Sequence, residues 1–345
     1  MPTESRKNAL ILSGGGGRGA YHVGVMRFLE EHEWFPNIVA GTSIGAVNGA
    51  AIASGHNSRS LWALWQRLTT DDVQKHHWNL LEGNYLLDTT PLRSTLQEQG
   101  WVNFARINSN EAAVHLRVTA TEINSGQLHV FGNSDDIYPS RMRREKIELN
   151  HIIASCSIPI VYPATQLNDT LYWDGATVAN TPLGPAIDAG AEEIVVVIMT
   201  PWESDDGGAE LPAPKNILMA ASTMLEWALL ASFQSDLKMF RRINELVRLQ
   251  VENARLQATN RLLLSQLRGE EVNLEDKDGN GIPDILEDKF HALPEPIIVA
   301  PQKTIPVDRI IRYTREGHEE LFQLGYEDAK RAWKAAGKAV EGESS

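Results

Sequence analysis

The sequence has little of what stabilises secreted proteins or anchors proteins in a bilayer. Cys156 is the only cysteine among 345 residues, so an internal disulfide is impossible. No stretch approaches the roughly 18 to 20 apolar residues of a membrane span. The segment before the first glycine run has too short an apolar stretch for the core of a signal peptide. We therefore expect a soluble, cytoplasmic protein.

Positive charge is also scarce, because 32 lysines and arginines stand against 45 aspartates and glutamates, for a net charge of −13. Such a chain repels polyanions, which argues against nucleic-acid binding through bulk charge. Apolar residues make up 42% of the chain, enough for a sizeable core. The length suits one large α/β domain with an insertion.

Two strand–turn–helix units open the chain. The apolar run at 8–13 ends in glycines and predicts a buried strand, and 18–32 predicts an amphipathic helix. Residues 37–55 repeat the plan, which indicates a parallel sheet with crossover helices. Further strands are predicted at 112–122, 127–132, 192–200 and 295–301, and further helices at 58–68, 216–268 and 315–337.

The motif GTSIG, residues 41–45, lies between a predicted strand and a predicted helix. A nucleophilic serine needs a sharp, exposed turn, and the flanking Gly41 and Gly45 allow backbone and neighbours to approach it. The motif predicts Ser43 as a nucleophile, and an ordinary turn between strand and helix is the alternative.

A serine hydroxyl also needs a base within hydrogen-bond reach, and the residues alone leave two arrangements open. A triad would end in His318 or His291. His318 lies in a highly charged helical stretch that predicts a solvent-exposed side chain, and nothing around His291 indicates a catalytic loop. A dyad would use Asp174, which ends an apolar run and is followed by the small residues Gly175 and Ala176.

The run GGGGRG, residues 14–19, fits two templates. One is the dinucleotide fingerprint G-x-G-x-x-G between a strand and a helix. That fingerprint requires an acid about 20 residues further on, at the end of the second strand, where this chain has GTSIG instead. The other is an oxyanion hole, in which glycines before a helix present bare backbone N–H groups. We favour the oxyanion hole.

Together the three motifs resemble the patatin-like phospholipase family of lipid acyl hydrolases. The family pattern is G-G-G-x-R-G, then G-x-S-x-G, then D-G-G or D-G-A, and the likeness covers roughly residues 8–200, with weaker similarity in the C-terminal strand and helix. The matching residues are Gly14, Gly15, Gly16, Gly17, Arg18 and Gly19, then Gly41, Ser43 and Gly45, then Asp174, Gly175 and Ala176.

The resemblance implies a three-layer α/β domain with a mostly parallel central sheet. It implies that Ser43 attacks an ester carbonyl, that Asp174 takes its proton and that amides of Gly15, Gly16 and Gly17 hold the oxyanion, with no histidine and no cofactor. Burial beside Trp173 and Tyr172 would raise the pKa of the aspartate and make it a better base. The expected substrate is a lipid or lysolipid ester, reached by peripheral contact with membranes or lipid aggregates.

These inferences divide the chain into a catalytic core at 8–200, a helical insertion at 201–294, and a strand and helix at 295–337 that complete the core. The long helix of the insertion is predicted to cover the core or acyl pocket. The alternative is a coiled-coil contact with a second chain, as in a homo-oligomer, or with another partner.

The insertion also carries an acidic segment, residues 276–287, that matches the EF-hand calcium loop position by position. The predicted ligands are Asp276, Asp278, Asn280, the Ile282 carbonyl, Asp284 and Glu287. A plain solvated turn is the alternative. A bound Ca²⁺ would be structural or regulatory, which leaves open a calcium-dependent binding or scaffolding protein built on an inactive hydrolase core.

Overall fold

The computed structural model describes residues 7–76, 85–137, 142–202, 217–268 and 292–340. The strands are β1 (Asn8–Leu12), β2 (Ile38–Thr42), β3 (Lys75–His76), β4 (Leu87–Asp88), β5 (His115–Glu122), β6 (Leu128–Gly132), β7 (Met142–Arg144), β8 (Thr165–Leu167), β9 (Thr170–Asp174), β10 (Glu193–Val197) and β11 (Ile297–Val299). The α-helices are α1 (Ala20–Glu31), α2 (Ile44–Ala53), α3 (Ser58–Trp65), α4 (Thr70–Val73), α5 (Thr90–Glu98), α6 (Phe104–Ile107), α7 (Leu149–Ser155), α8 (Leu183–Asp188), α9 (Ile217–Arg268) and α10 (Arg315–Ala335).

The central sheet has the strand order β11-β10-β1-β2-β5-β6-β7. From β11 to β5 the neighbouring strands are parallel, and β5 and β6, which form at the strands predicted at 112–122 and 127–132, pair as an antiparallel hairpin. The inner strands β1, β2 and β10 are apolar and almost wholly buried, as expected of strands covered by helices on both faces. The predicted α/β class with a mostly parallel sheet is confirmed.

Strand β5 pairs with two strands along one edge. Its first part, up to Thr119, pairs with β2, whose last residue Thr42 lies opposite Thr119. Its last part pairs with the antiparallel β9, whose last residue Asp174 lies opposite Ala120. Because β6 occupies the other edge over the same stretch, the carboxyl ends of β2 and β9 meet beside consecutive residues of β5.

Helices α1 and α10 pack with their backbones in close contact. A Cβ atom at Gly24 would overlap the backbone carbonyl of Phe322, and one at Gly325 would overlap that of Tyr21. Phe28 of α1 packs edge-on against the rings of Tyr326 and Trp333. The first and last helices of the described core therefore depend on a pair of facing glycines.

The contacts divide the chain into two units, residues 1–234 with 296–345 and residues 235–295. Within the second unit, the Asn244 side chain exchanges two hydrogen bonds with the backbone of Leu293, at 2.8 and 3.1 Å. The domain boundaries drawn from the sequence stay a prediction. None of the helices in the described ranges combines the length and the apolar character needed to cross a bilayer.

The α1–α10 contact predicts that Gly24→Ala lowers the free energy of unfolding by about 2 kcal/mol or more, because overpacked cores cost about 1–3 kcal/mol and the obstructing atoms are backbone. Urea titration of the purified protein measures the change. Gly184→Ala in α8 is the matched control, since the added Cβ meets no atom within 4 Å, and it should stabilise by up to about 1 kcal/mol. Equal effects of the two substitutions would contradict the close approach.

Candidate active site

Ser43 occupies a strained turn between β2, which contains Gly41, and α2, which contains Gly45. Its backbone dihedrals are φ 56° and ψ −126°, a region that non-glycine residues rarely enter. Such strain persists only where the surroundings enforce it, and it is concentrated at functional sites. The Ser43 N–H donates to Ser155 Oγ at 2.9 Å, which fixes the turn.

Asp174 is buried at the end of β9, with 2% of its surface exposed. Its N–H donates to the Ser157 carbonyl at 2.8 Å, and its carbonyl accepts from Thr121 Oγ1 at 3.0 Å. The carboxylate Oδ1 accepts the Ala176 N–H at 2.8 Å, at the short 3₁₀ turn that begins at Gly175. These contacts fix the Asp174 backbone and one of its two carboxylate oxygens.

The second carboxylate oxygen, Asp174 Oδ2, is buried and has no hydrogen-bond partner of good geometry within the described chain. Burial raises the pKa of Asp174 to about 7, although the Ser43 hydroxyl and the Ala176 amide lower it. Ser43 is therefore close enough to interact with this carboxyl, and catalytic hydrogen bonds are often loose before substrate binds. A carboxyl with a pKa near neutrality is suited to moving a proton.

The last residue of α7 and the turn after it hold the backbones of Ser43 and Asp174. Ser155 Oγ accepts the Ser43 N–H, and the Ser157 carbonyl accepts the Asp174 N–H. Ser157 Oγ is itself fixed by Thr165 Oγ1 at 2.8 Å. The sequence has no motif around Ser155 and Ser157, so it did not predict that they lie at the site. Their position there depends on packing between segments far apart in the sequence.

The glycine run lies beside Ser43. Residues Gly16–Gly19 form a 3₁₀ helix that leads into α1, with Arg18 buried in it. Gly16 has φ 56° and a Cβ there would overlap the carbonyl of Ile310, so no larger residue fits. Gly16 and Gly17, as the first residues of a helix, have N–H groups without an intrahelical acceptor.

Asn180 is a further residue at this site. Its Oδ1 accepts the Gly14 N–H at 2.8 Å, and a Cβ on Gly14 would touch both Asn180 Oδ1 and Ser43 Cβ. The side chain thus ties the glycine run to the segment that follows Asp174. Its position six residues after the aspartate was the available signal, but a lone asparagine in a single sequence has many explanations.

Ser43 and Gly16 open onto a narrow pocket with apolar walls. Most of its wall residues come from α2, α4, α5 and the turns that follow α5 and α7. The full set is Gly16, Ser43, Ile44, Val47, Leu68, Val73, Leu92, Thr95, Leu96, Trp101, Cys156, Ile158, Tyr162 and Tyr313. The lining therefore favours apolar groups over charged ones.

The expectation of a solvent-exposed His318 is wrong, because only 1% of this residue is exposed. Its Nδ1 bonds to the Trp65 carbonyl at 2.8 Å, and its Nε2 has no hydrogen-bond partner within the described residues. Burial lowers the pKa of His318 to about 4. The structure therefore does not join His318 to Ser43, and His291 lies outside the described residues.

The candidate calcium loop at 276–287 also lies outside the described residues. Within the described ranges, no group of three or more His, Cys, Asp or Glu side chains is arranged to hold a metal ion. Calcium binding stays a prediction from the sequence.

Comparison with known proteins gives a family match over the region that contains all three motifs. The family model described as patatin-like phospholipase matches residues 10–187. Lysophospholipase NTE1 of Meyerozyma guilliermondii is 28% identical over 191 residues, which are 54% of this chain and 12% of that protein. The chain therefore spans about an eighth of the length of this curated relative.

Two further relatives differ in how much of each chain is matched. Triacylglycerol lipase SDP1L of Arabidopsis thaliana is 46% identical over 48 residues, which are 14% of this chain and 6% of that protein. The uncharacterized protein YqhO of Bacillus subtilis is 25% identical over 215 residues, which are 56% of this chain and 72% of that protein.

Because Asp174 is buried, we predict that its contribution to the free energy of unfolding falls as the pH rises. The folded protein keeps the carboxyl proton up to its pKa of about 7, whereas the unfolded chain releases it near the ordinary pKa of 3.8. Asp174→Asn keeps an acceptor for the Ala176 N–H and carries no charge. The variant should therefore be more stable than wild type, and this gain should be about 2 kcal/mol larger at about pH 8 than at about pH 5.5. The difference follows because each pH unit between about 5.5 and the pKa of Asp174 contributes about 1.4 kcal/mol.

Urea titration at the two pH values measures this difference. Asp169→Asn, at an exposed position in the turn between β8 and β9, is the matched control, because it makes the same substitution outside the buried site. A gain for Asp174→Asn that does not change with pH would rule out a desolvated carboxyl.

Proposed function

Because this chain belongs to the patatin-like phospholipase family, we propose that it is a lipid acyl hydrolase that cleaves carboxylic esters through a seryl acyl-enzyme. The observation that carries the proposal is the buried Asp174 carboxyl beside Ser43, whose strained turn opens onto an apolar pocket. The family match and the identities to a lysophospholipase and a triacylglycerol lipase support the same reaction class.

In the first step, Ser43 Oγ attacks the ester carbonyl and its proton passes to Asp174 Oδ2. The oxygen–carbon bond to the serine forms as the carbonyl oxygen becomes an oxyanion. Collapse of this intermediate breaks the bond to the alcohol, which leaves with the proton from Asp174. The raised pKa of Asp174 favours both proton transfers, because a base is most useful when its pKa lies near the working pH.

In the second step, water attacks the acyl-enzyme and gives its proton to Asp174, and the fatty acid departs as Ser43 recovers the proton. No histidine is needed in this cycle. Burial supports a mechanism without histidine, because desolvation brings the pKa of the Asp174 carboxyl into the range where histidine ordinarily titrates.

The glycine run is proposed as the oxyanion hole, with donors among the amides of Gly15, Gly16 and Gly17. The close packing of Gly16 on the Ile310 carbonyl limits movement of the loop, and the hydrogen bond from Gly14 to Asn180 limits it further. Preorganised donors of this kind stabilise the transition state because they need no reorientation when charge develops.

The apolar pocket is proposed to hold the acyl chain of the substrate. Leu92, Leu96 and Trp101 contribute to its lining beside Ser43, so the carbonyl at the head of a buried acyl chain would lie near the hydroxyl. Phospholipids and lysophospholipids are the proposed substrates, approached by peripheral contact with lipid aggregates.

The dyad predicts that Ser43→Ala and Asp174→Asn each lower kcat on a short p-nitrophenyl ester at least about a thousandfold, because each removes a group that acts in bond making. Ser13→Ala is the matched control. Ser13 is also buried, and its hydroxyl has no hydrogen-bond partner in the described structure, so activity should persist.

His318→Gln distinguishes the dyad from a triad, since only a triad requires loss as severe as that of Ser43→Ala. A panel of phospholipid, lysophospholipid and triacylglycerol dispersions, assayed with the same variants, identifies the lipid class. Hydrolysis that survives Ser43→Ala on every substrate would refute the proposal.

Asn180→Ala should lower kcat about tenfold or more and leave KM nearly unchanged, because it removes the hydrogen bond that positions the glycine run while the apolar pocket stays intact. Asn37→Ala is the matched control, since Asn37 Oδ1 accepts the Asn8 N–H at the opposite end of β1, at 2.9 Å. Steady-state kinetics of both variants test this role. A kcat loss of the same size in both would point to general loosening of the fold.

A further inference from the structure

A stripe of leucine and asparagine runs along the C-terminal half of α9, with steps of three and four residues. Its members are Leu246, Leu249, Asn253, Leu256, Asn260, Leu263 and Leu267. Between 50% and 84% of each leucine is exposed, and both asparagines are exposed. Asn244, which bonds to Leu293 within the same unit, lies on another face of the helix.

The alternating spacing is that of positions a and d in a heptad repeat. Leu246, Asn253, Asn260 and Leu267 fall at a, and the remaining three leucines fall at d. The stripe covers three heptads, or about 33 Å of helix at 1.5 Å per residue. Exposed apolar stripes of this size mark an interaction surface.

We propose that this stripe is the seam of a parallel, in-register, two-stranded coiled coil with a second copy of this chain. The two asparagines identify the partner. An asparagine at position a is satisfied by an asparagine at the same level of the facing helix, whereas an apolar residue there leaves its amide without a partner. Only a parallel, in-register pair of identical helices brings both Asn253 and Asn260 opposite themselves.

The residues that flank the seam are compatible with self-association. Position g holds Glu245 and Glu252, and position e of the following heptads holds Gln250 and Gln257. In a parallel pair each g residue faces the e residue of the partner's next heptad, so each glutamate meets a glutamine. No like charges oppose each other across these two levels.

The dimer should be reversible, because two polar layers in a short seam lower its affinity. The helix is already formed within the chain, so association does not bear the cost of helix nucleation. Sedimentation velocity of the full chain should show a monomer–dimer equilibrium at micromolar concentrations. A monomer at all concentrations up to about a hundred micromolar would overturn the proposal.

Register and direction are tested by cysteine crosslinking of the full chain. Asn253→Cys and Asn260→Cys should each form a disulfide-linked dimer under mild oxidation, because both levels face their own copies. Arg255→Cys, at position c on the outer side, is the matched control and should stay monomeric on a denaturing gel. Cys156 is buried and does not compete. An antiparallel pair can crosslink at one level at most, so failure at either position would refute a parallel, in-register seam.

The doubly substituted Leu256→Lys, Leu263→Lys chain should raise the dissociation constant at least tenfold, while its thermal unfolding and ester hydrolysis match those of wild type. Unchanged dimerisation would place the interface elsewhere and refute the proposal. If the double variant unfolds, the crosslinking result decides, because single cysteines at exposed positions preserve the fold.

Discussion

The candidate site depends on the pairing of strand β5, one edge of which is shared by two strands that run in opposite directions. Strand β2 ends at Thr42, opposite Thr119, and β9 ends at Asp174, opposite Ala120. A slip of one residue in either ladder would turn the side chains of that strand to the other face of the sheet. The distance between Ser43 and Asp174 is thus set by backbone hydrogen bonds, and the turn after α7 reinforces it.

The site combines two features that cost stability. The serine is held in a strained conformation, and burial raises the pKa of the Asp174 carboxyl to about 7. Together they oppose folding by several kcal/mol on the scales typical of such features. The surrounding structure offsets this through the continuous core of β1, β2 and β10 and the close α1–α10 contact. The structure around Ser43 and Asp174 must therefore be rigid enough to keep the serine strained and the carboxyl buried.

Regular patterns made much of the fold predictable. The apolar runs of β1, β2 and β10 and the alternating residues of β5 each indicated the element that formed. The pairing of β9 with β5 was not predictable, because register between distant strands depends on packing. His318 was misjudged because its charged neighbours indicated solvent, whereas one face of α10, with His318 on it, is buried. Ser155 and Asn180 act through single hydrogen bonds, which leave no pattern in one sequence.

The last elements of the described core lie against the first. The Tyr21 hydroxyl donates to Asp328, 307 residues further along the chain, at 2.8 Å. Gly16 packs on the carbonyl of Ile310, and β11 extends the sheet beyond β10. Contacts of such sequence separation make folding slow, and a chain emerging from the ribosome cannot form them until its C-terminal part has been made. The glycine run can reach its final arrangement only once Ile310 has been synthesised, so one of the first loops of the chain is among the last to be completed.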